Sequence, residues 1–216
     1  MTLYAATSNP GKLAEFTAAA ESSSDSSPDS SLIQILALPN LASMPEPAED
    51  APTFIGNAEL KAIAYSTLAP GLLVFADDSG LEASALHGAP GVRSARFADD
   101  LAFHPHLGSP HIGSKDERNN RALLSQLQFH TDRSARFVCA IALARNGHIL
   151  VRSEGSVEGQ ILTAPRGSDG FGYDPLFFIP SLGRTLAEVP RKKKWELSHR
   201  GQAFRSLLTQ IRSSIL

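Results

Sequence analysis

Cysteine is nearly absent from this chain of 216 residues, which contains only Cys139. A single cysteine excludes an internal disulfide framework and favours a reducing compartment. Cys139 lies within the apolar run FVCAIALA, where a thiol is typically buried and behaves as a small hydrophobic group. We therefore expect this thiol to be inert rather than nucleophilic.

The sequence also lacks a charge excess and a long hydrophobic run. Its 20 basic and 22 acidic residues give a net charge of −2, which argues against general attraction to nucleic acids or anionic membranes. No apolar segment approaches the roughly 20 residues that span a bilayer. The first residues, MTLYAATSNPGK, lack a signal-peptide pattern. The sequence therefore predicts a cytoplasmic protein that binds neither membrane nor nucleic acid.

What the sequence does contain is a mixture of strand and helix patterns. Short apolar runs predict strands at 3–6, 32–38, 72–76 and 176–179, and helical spacing and capping residues predict helices at about 10–20, at 54–69, at about 115–128 and after Ser198. Asn146-Gly147 between two apolar runs is typical of a β-hairpin. Because a hairpin requires antiparallel pairing, we predict an α/β fold with a mixed sheet.

The first candidate site follows the first predicted strand. TSNPGK joins this strand to a helix start, which offers unpaired backbone N–H groups and a partial positive charge. Its members are Thr7, Ser8, Asn9, Pro10, Gly11 and Lys12. Short polar side chains and a lysine at such a place suit a phosphate, although the spacing is not that of a P-loop. The alternative is an ordinary capped helix with a solvated lysine.

The second candidate site is FADDSG, residues 75–80, which places Asp77 and Asp78 directly after the apolar run LLVFA. Open α/β sheets bind ligands beyond the carboxyl ends of their strands, where we expect these acids to lie. Two carboxylates there favour a divalent cation, and hard oxygen ligands favour Mg²⁺ (magnesium). One acid could also orient or deprotonate a water, and Ser79 could contact a phosphate. The alternative is a solvated turn.

The stretch GSDGFGYDP, residues 167–175, combines glycines with two aromatic residues. Glycines let the backbone approach a flat ligand closely, and Phe171 or Tyr173 could stack on a base. The alternative is a tight turn whose aromatic side chains pack into the core.

The stretch RKKKWELSHRG, residues 191–201, begins with four consecutive cations. Such a run indicates a nucleic-acid patch or a solvated surface, and the small net charge favours the solvated surface. His199 and Arg200 open a helix, where cationic side chains are unfavourable for the helix dipole. An anionic or hydrogen-bonding ligand would account for them.

Five stretches, taken together, resemble the inosine triphosphate pyrophosphatase family. They are, in chain order, TSNPGK, TFIGNAELKA, FADDSGLEASALHGAPGVRSARF, GFGYDPLFF and KKKWELSHRGQA. The resemblance implies one α/β domain over 1–216, two-lobed, with a long mixed central sheet flanked by helices and an active-site cleft between the lobes. It also implies a homodimer that uses Mg²⁺ to hydrolyse ITP, dITP and XTP to the monophosphate and pyrophosphate, and so removes deaminated purines from the nucleotide pool.

The resemblance assigns the metal and the phosphates to specific residues. Residues 7–12 and Lys61 would hold the triphosphate. Glu49, Asp77 and Asp78 would bind Mg²⁺, and Asp78 would also be the base that activates water. The choice of Glu49 over other acids in PEPAED depends on its spacing alone.

The remaining implied roles concern other contacts with the substrate, above all with its base. Ser79 would touch the substrate, and Phe171 would stack on the purine within a contact loop. This contact loop comprises Phe171, Gly172, Tyr173 and Asp174. The residues that would reach the base and its 6-oxo edge are Lys194, His199 and Arg200. Donors at that edge would favour an oxo group and leave the amino group of adenine badly paired.

Two segments, 22–31 and 99–113, look longer than the family pattern and are expected to be flexible surface insertions. The second contains His104, His106 and His111, which could bind a transition metal or be incidental. Two rival functions remain open. One is a related pyrophosphatase for pyrimidine or modified-base triphosphates, and the other is a nucleic-acid-binding protein that uses RKKKW and stacks Trp195 on bases.

Overall fold

The structure is a computed structural model that describes residues 1–22, 33–101 and 113–214. The strands of the described part are β1 (Thr2–Ala5), β2 (Gln34–Ala37), β3 (Val74–Ala83), β4 (Ser134–Arg145), β5 (His148–Ile161), β6 (Phe177–Ile179) and β7 (Arg184–Thr185). The α-helices of that part are α1 (Pro10–Ser22), α2 (Phe54–Leu68), α3 (Phe97–Asp100), α4 (Lys115–Gln126), α5 (Arg191–Leu197) and α6 (His199–Ser214).

The strands form one mixed sheet in the order β2-β1-β3-β4-β5-β6-β7. β1 pairs in parallel with β2 and β3, whereas β6 pairs antiparallel with β5 and β7. Only Asn146 and Gly147 separate β4 from β5, and both have positive φ, at 52° and 79°. Such a turn matches the twist of a two-residue hairpin. The predicted α/β class, the mixed sheet and the hairpin are confirmed.

The helices begin where local capping chemistry predicts. The side-chain oxygen of Asn9 accepts hydrogen bonds from two N–H groups at the start of α1, and Thr53 accepts one at the start of α2. Ser114 and Glu117 form a reciprocal capping box on α4, and Ser198 accepts from an N–H in the first turn of α6. Each cap satisfies donors that a helix start would otherwise leave unpaired.

The chain divides into two compact units. The first comprises Met1–Asp78, Cys139–Ser156 and Trp195–Leu216, and the second comprises Ser79–Val138 and Val157–Lys194. The core of the first unit includes the apolar face of α6, whose members are Ala203, Phe204, Leu207, Leu208 and Ile211. The core of the second unit includes Leu81, Leu123, Phe137, Phe177 and Leu186. Within the described residues, no helix combines the length and apolarity that crossing a membrane requires.

β3 is longer than the apolar run predicts. It continues through Asp77, Asp78 and Ser79 to Ala83, so the acids lie inside the strand and not beyond its end. The prediction was wrong because Leu81 and Ala83 continue the buried positions after the polar residues. The predicted insertion at 99–113 begins within a helix, because α3 covers Phe97–Asp100. The predicted insertions fall mostly on 23–32 and 102–112, which lie outside the described residues, as do His104, His106 and His111.

Candidate functional site

The start of α1 brings Lys12 to one of the paired acids. Ser8, Asn9, Pro10 and Gly11 are exposed, whereas the Lys12 side chain is mostly buried. Its Nζ bonds to Oδ2 of Asp77 across 2.8 Å. This lysine is therefore not the solvated cation of the ordinary helix start, although the turn beside it is exposed.

Asp77 is a buried carboxylate surrounded by cations. Its Oδ2 accepts from Lys12 and lies 3.8 Å from Nε of Arg200. Burial by itself would raise the pKa of Asp77, but the charges of Lys12, Arg200 and Lys61 outweigh burial and bring the pKa down to about 2. Asp77 is consequently ionised at neutral pH and is a poor proton acceptor.

Arg200 is buried at the start of α6, where its charge opposes the helix dipole. Its NH1 group donates to Oε2 of Glu15 across 2.7 Å, and Asp77 lies on its other side. Burial would lower the pKa of Arg200, but Asp77 and Glu15 raise it. The two carboxylates explain how a cation is tolerated here without a ligand. His199, the neighbouring residue, is also buried.

Asp78 has different surroundings from Asp77. Its Oδ2 accepts from the side-chain amide of Asn57 across 3.0 Å, and its Oδ1 lies 3.9 Å from Nζ of Lys61. Burial raises the pKa of Asp78 above its usual value, although Lys61 and Asn57 oppose that rise. The adjacent acids therefore divide into one that remains ionised and one with the raised proton affinity of a general base.

Lys61 connects Asp78 to the loop before α2. Its Nζ bonds to Oε1 of Glu49 across 2.8 Å. Burial would lower the pKa of Lys61, but the charges of Asp78, Asp77 and Glu49 raise it, so the ammonium stays charged. Of the acids in PEPAED, Glu46 and Asp50 are exposed, whereas Glu49 is the one that this ammonium joins to Asp78.

Glu49, Asp77 and Asp78 carry the oxygen ligands that the predicted divalent cation would need. Among the described residues, no three His, Cys, Asp or Glu side chains are arranged as a ready metal centre. Two of these carboxylates face a common cation, because Nζ of Lys61 lies 2.8 Å from Oε1 of Glu49 and 3.9 Å from Oδ1 of Asp78. Carboxylate oxygens are also the ligands that Mg²⁺ prefers. Glu49, Asp77 and Asp78 therefore remain suitable candidates for a metal site.

In the second unit, Phe171 is presented at the surface while Tyr173 is not. The Phe171 ring is 36% exposed, and Nζ of Lys194 lies 5.6 Å from its centroid. Tyr173 is buried, and its hydroxyl donates to the carbonyl of Ser94 across 2.9 Å. Of the two aromatic residues that the sequence proposes for stacking, only Phe171 offers an accessible ring.

Lys194 contradicts the prediction that RKKK is a solvated run. It lies in α5, is buried, and its Nζ bonds to Oδ2 of Asp174 across 2.5 Å. The same carboxylate oxygen accepts from the N–H of Phe171 across 3.0 Å. The cation is buried because Asp174 pairs with it, which a sequence pattern does not reveal. Ser79, the first residue of this unit, is half-buried in β3.

Trp195, which the rival function would stack on bases, packs against the core of the first unit. In the first unit its ring lies 6.4 Å from the Phe16 ring and 6.0 Å from the Phe204 ring, centroid to centroid. Its apolar surface therefore contributes to the core.

Sequence reasoning missed two residues of the first unit. Asn57 is completely buried against Asp78, and Glu15 pairs with Arg200. Both lie at helical spacing from a predicted site residue, Asn57 four positions before Lys61 and Glu15 three positions after Lys12. That spacing places each pair on one helix face and could have identified them.

Comparison with known proteins agrees with the resemblance seen in the sequence. The Ham1 family profile matches residues 3–210. The dITP/XTP pyrophosphatase of Acidobacterium capsulatum is 48% identical over 211 residues, 98% of each chain. The structure of a HAM1 protein from Coxiella burnetii is 35% identical with a TM-score of 0.80, and that of the Staphylococcus aureus Ham1 protein is 32% identical with a TM-score of 0.78, each covering 99% of both chains. The chain belongs to the Ham1 family.

Proposed function

We propose that this protein hydrolyses non-standard purine nucleoside triphosphates, namely ITP, dITP and XTP, to the monophosphate and pyrophosphate in the cytoplasm. Its class, a nucleoside-triphosphate pyrophosphatase, follows from membership of a family whose named relatives are dITP/XTP pyrophosphatases. The observation that carries the proposal is the pair Asp77 and Asp78, whose pKa values shift in opposite directions within reach of Lys12 and Lys61.

Asp78 would supply the base. A water held by its carboxylate would attack the α-phosphorus and give its proton to Asp78. The bond between the α-phosphorus and the bridging oxygen would break, and pyrophosphate would leave with that oxygen. The raised pKa of Asp78 favours proton acceptance, and Asn57 holds one of its oxygens in place.

Lys12 and Lys61 would bind the phosphates. In the described structure each is neutralised by an acid, Lys12 by Asp77 and Lys61 by Glu49. A triphosphate would compete with these carboxylates for the ammonium groups, and the exposed turn of residues 8–11 would place it at the positive end of the α1 dipole. Mg²⁺ bound by Glu49, Asp77 and Asp78 would supply charge neutralisation for the triphosphate.

Base selection would come from Phe171, Lys194, His199 and Arg200. Phe171 would stack on the purine, within the contact loop that Gly172, Tyr173 and Asp174 complete. Lysine, arginine and protonated histidine donate hydrogen bonds, so they favour a 6-oxo group over a 6-amino group.

The test is pyrophosphate release from ITP, XTP, GTP, ATP and dTTP with Mg²⁺, for the wild type and Asp78→Asn. We expect release from ITP and XTP, and its loss in the variant. Turnover of dTTP in preference to ITP would favour the rival pyrimidine specificity, and no release from any nucleotide would overturn the proposal. Sedimentation and limited proteolysis of the same sample would test the proposed homodimer and the single two-lobed domain.

A further inference from the structure

Side chains of α4 contact both backbone polar groups of Gly172. Oδ2 of Asp116 accepts from the Gly172 N–H across 2.7 Å, and Nδ2 of Asn120 donates to the Gly172 carbonyl across 2.9 Å. Asp116 and Asn120 are four residues apart, so they project from the same face of the helix. Neither belongs to the stretches that carry the family resemblance.

These contacts limit how the loop can recognise a base. The N–H of Phe171 is donated to Asp174, and the N–H of Gly172 is donated to Asp116. Because a backbone N–H donates one good hydrogen bond, neither is available to a purine while these contacts last. Recognition at this loop would therefore depend on the Phe171 ring, one face of which lies beside the Lys194 ammonium.

We propose that Asp116 and Asn120 are positioning residues that fix the Phe171 ring for stacking and so determine affinity for the base. Gly172 has a φ of +62°, a conformation that is readily accessible to glycine and equally readily left. Two hydrogen bonds from a helix remove that freedom before substrate arrives. A loop ordered in advance costs less conformational entropy when the base binds. This inference rests on the proposed function.

Asp116 also lies close to Tyr173, the next residue of the loop. Burial foremost, and the Asp116 charge after it, raise the pKa of the Tyr173 hydroxyl, which is held by Ser94. The loop is thus anchored at three successive residues: Phe171 by Asp174, Gly172 by α4 and Tyr173 by Ser94. Two of these anchors reach the loop from separate elements, Gly172 from α4 and Tyr173 from the 3₁₀ helix Gly91–Arg96.

The first test separates KM from kcat in Asp116→Ala and Asn120→Ala with ITP. We expect KM to rise about 10-fold and kcat to change less than about 3-fold, because the lost interaction acts on the bound base and not on the reacting phosphorus. Inhibition by IMP should weaken in parallel, whereas inhibition by pyrophosphate should not change. Asp116→Asn retains an oxygen that can accept from Gly172, so it should restore most of the affinity.

Asn119→Ala is the matched control. Asn119 lies on the same helix, but its amide contacts the backbone of Ala95 and Ala98 instead of the loop. It should lower the melting temperature while leaving the KM for ITP within about 2-fold of the wild type.

A double mutant tests the route of the effect. If α4 acts through Phe171, adding Asp116→Ala to Phe171→Ala should raise KM no further, because the two changes remove one interaction. Additive effects, or a wild-type KM in both α4 variants, would overturn the inference while leaving the proposed function intact. Absence of ITP hydrolysis by the wild type would overturn both.

Discussion

The side-chain amide of Asn57 donates to Oδ2 of Asp78 across 3.0 Å, while its oxygen accepts the N–H of Ala51 across 2.9 Å. One buried amide on α2 therefore joins the proposed base to the loop that carries Glu49. The amide leaves the second oxygen of Asp78 facing Lys61. Asn57 thus sets which oxygen of Asp78 is directed towards the cationic side of the site.

Asn57→Asp should reduce kcat about 100-fold or more, within the range that a positioned general base contributes. The new carboxylate can still accept from Ala51, but it repels Asp78 in place of donating to it. Pyrophosphate release from ITP measures the effect.

The exchanged pair Asn57→Asp with Asp78→Asn provides the control. It should recover melting temperature relative to Asn57→Asp, because donor and acceptor again face each other. It should remain inactive, because the carboxylate now lies on α2. Activity in the exchanged pair would show that catalysis does not require the carboxylate to be at position 78.

Asp77→Asn should lower the free energy of unfolding by about 2 kcal/mol near neutral pH, since a pKa lowered from 3.8 to about 2 corresponds to roughly that amount. The folded-state pKa of Asp77, about 2, lies below the ordinary value of 3.8, so its contribution is present above the ordinary value and is lost as pH falls towards 2. Urea titrations of the wild type and the variant between about pH 2 and pH 7 measure the difference in their unfolding free energies. A difference that is the same at all pH values would contradict the lowered pKa of Asp77.

Local chemistry explains what could be predicted from the sequence. The caps Asn9, Thr53 and Ser114 act within three residues of themselves, so a short pattern is sufficient to identify them. The length of β3 was underestimated because Asp77 and Asp78 interrupt the apolar run, although the strand continues.

The contacts that determine the site's electrostatics are distant in sequence. Glu15 and Arg200 are separated by 185 positions, and Asn120 and Gly172 by 52. In the sequence, each member of such a pair has no feature that identifies its partner, because the two meet only in the folded protein. For the same reason the burial of Lys194 depends on Asp174 and was not visible in RKKK.

Glu49→Gln should raise the Mg²⁺ concentration that gives half-maximal activity by about 10-fold or more, because a neutral amide is a weaker ligand for a hard cation. Glu46→Gln is the matched control, since Glu46 lies in the same loop but is exposed. Mg²⁺ titrations at saturating ITP distinguish them, and full chelation should abolish activity in every variant. An equal shift in both variants would remove Glu49 from the proposed metal site.

Cys139 should not react with a thiol reagent while the protein is folded. It is fully buried in the core of the first unit, and burial raises its pKa to about 12, so almost no thiolate exists at neutral pH. Labelling should reach one thiol per chain only after unfolding in denaturant. Cys139→Ser should cost about 1–3 kcal/mol of stability because a hydroxyl replaces a thiol among apolar side chains, with KM and kcat for ITP unchanged. Rapid labelling of the native protein, or loss of activity in a folded Cys139→Ser variant, would show that this thiol has a role beyond packing.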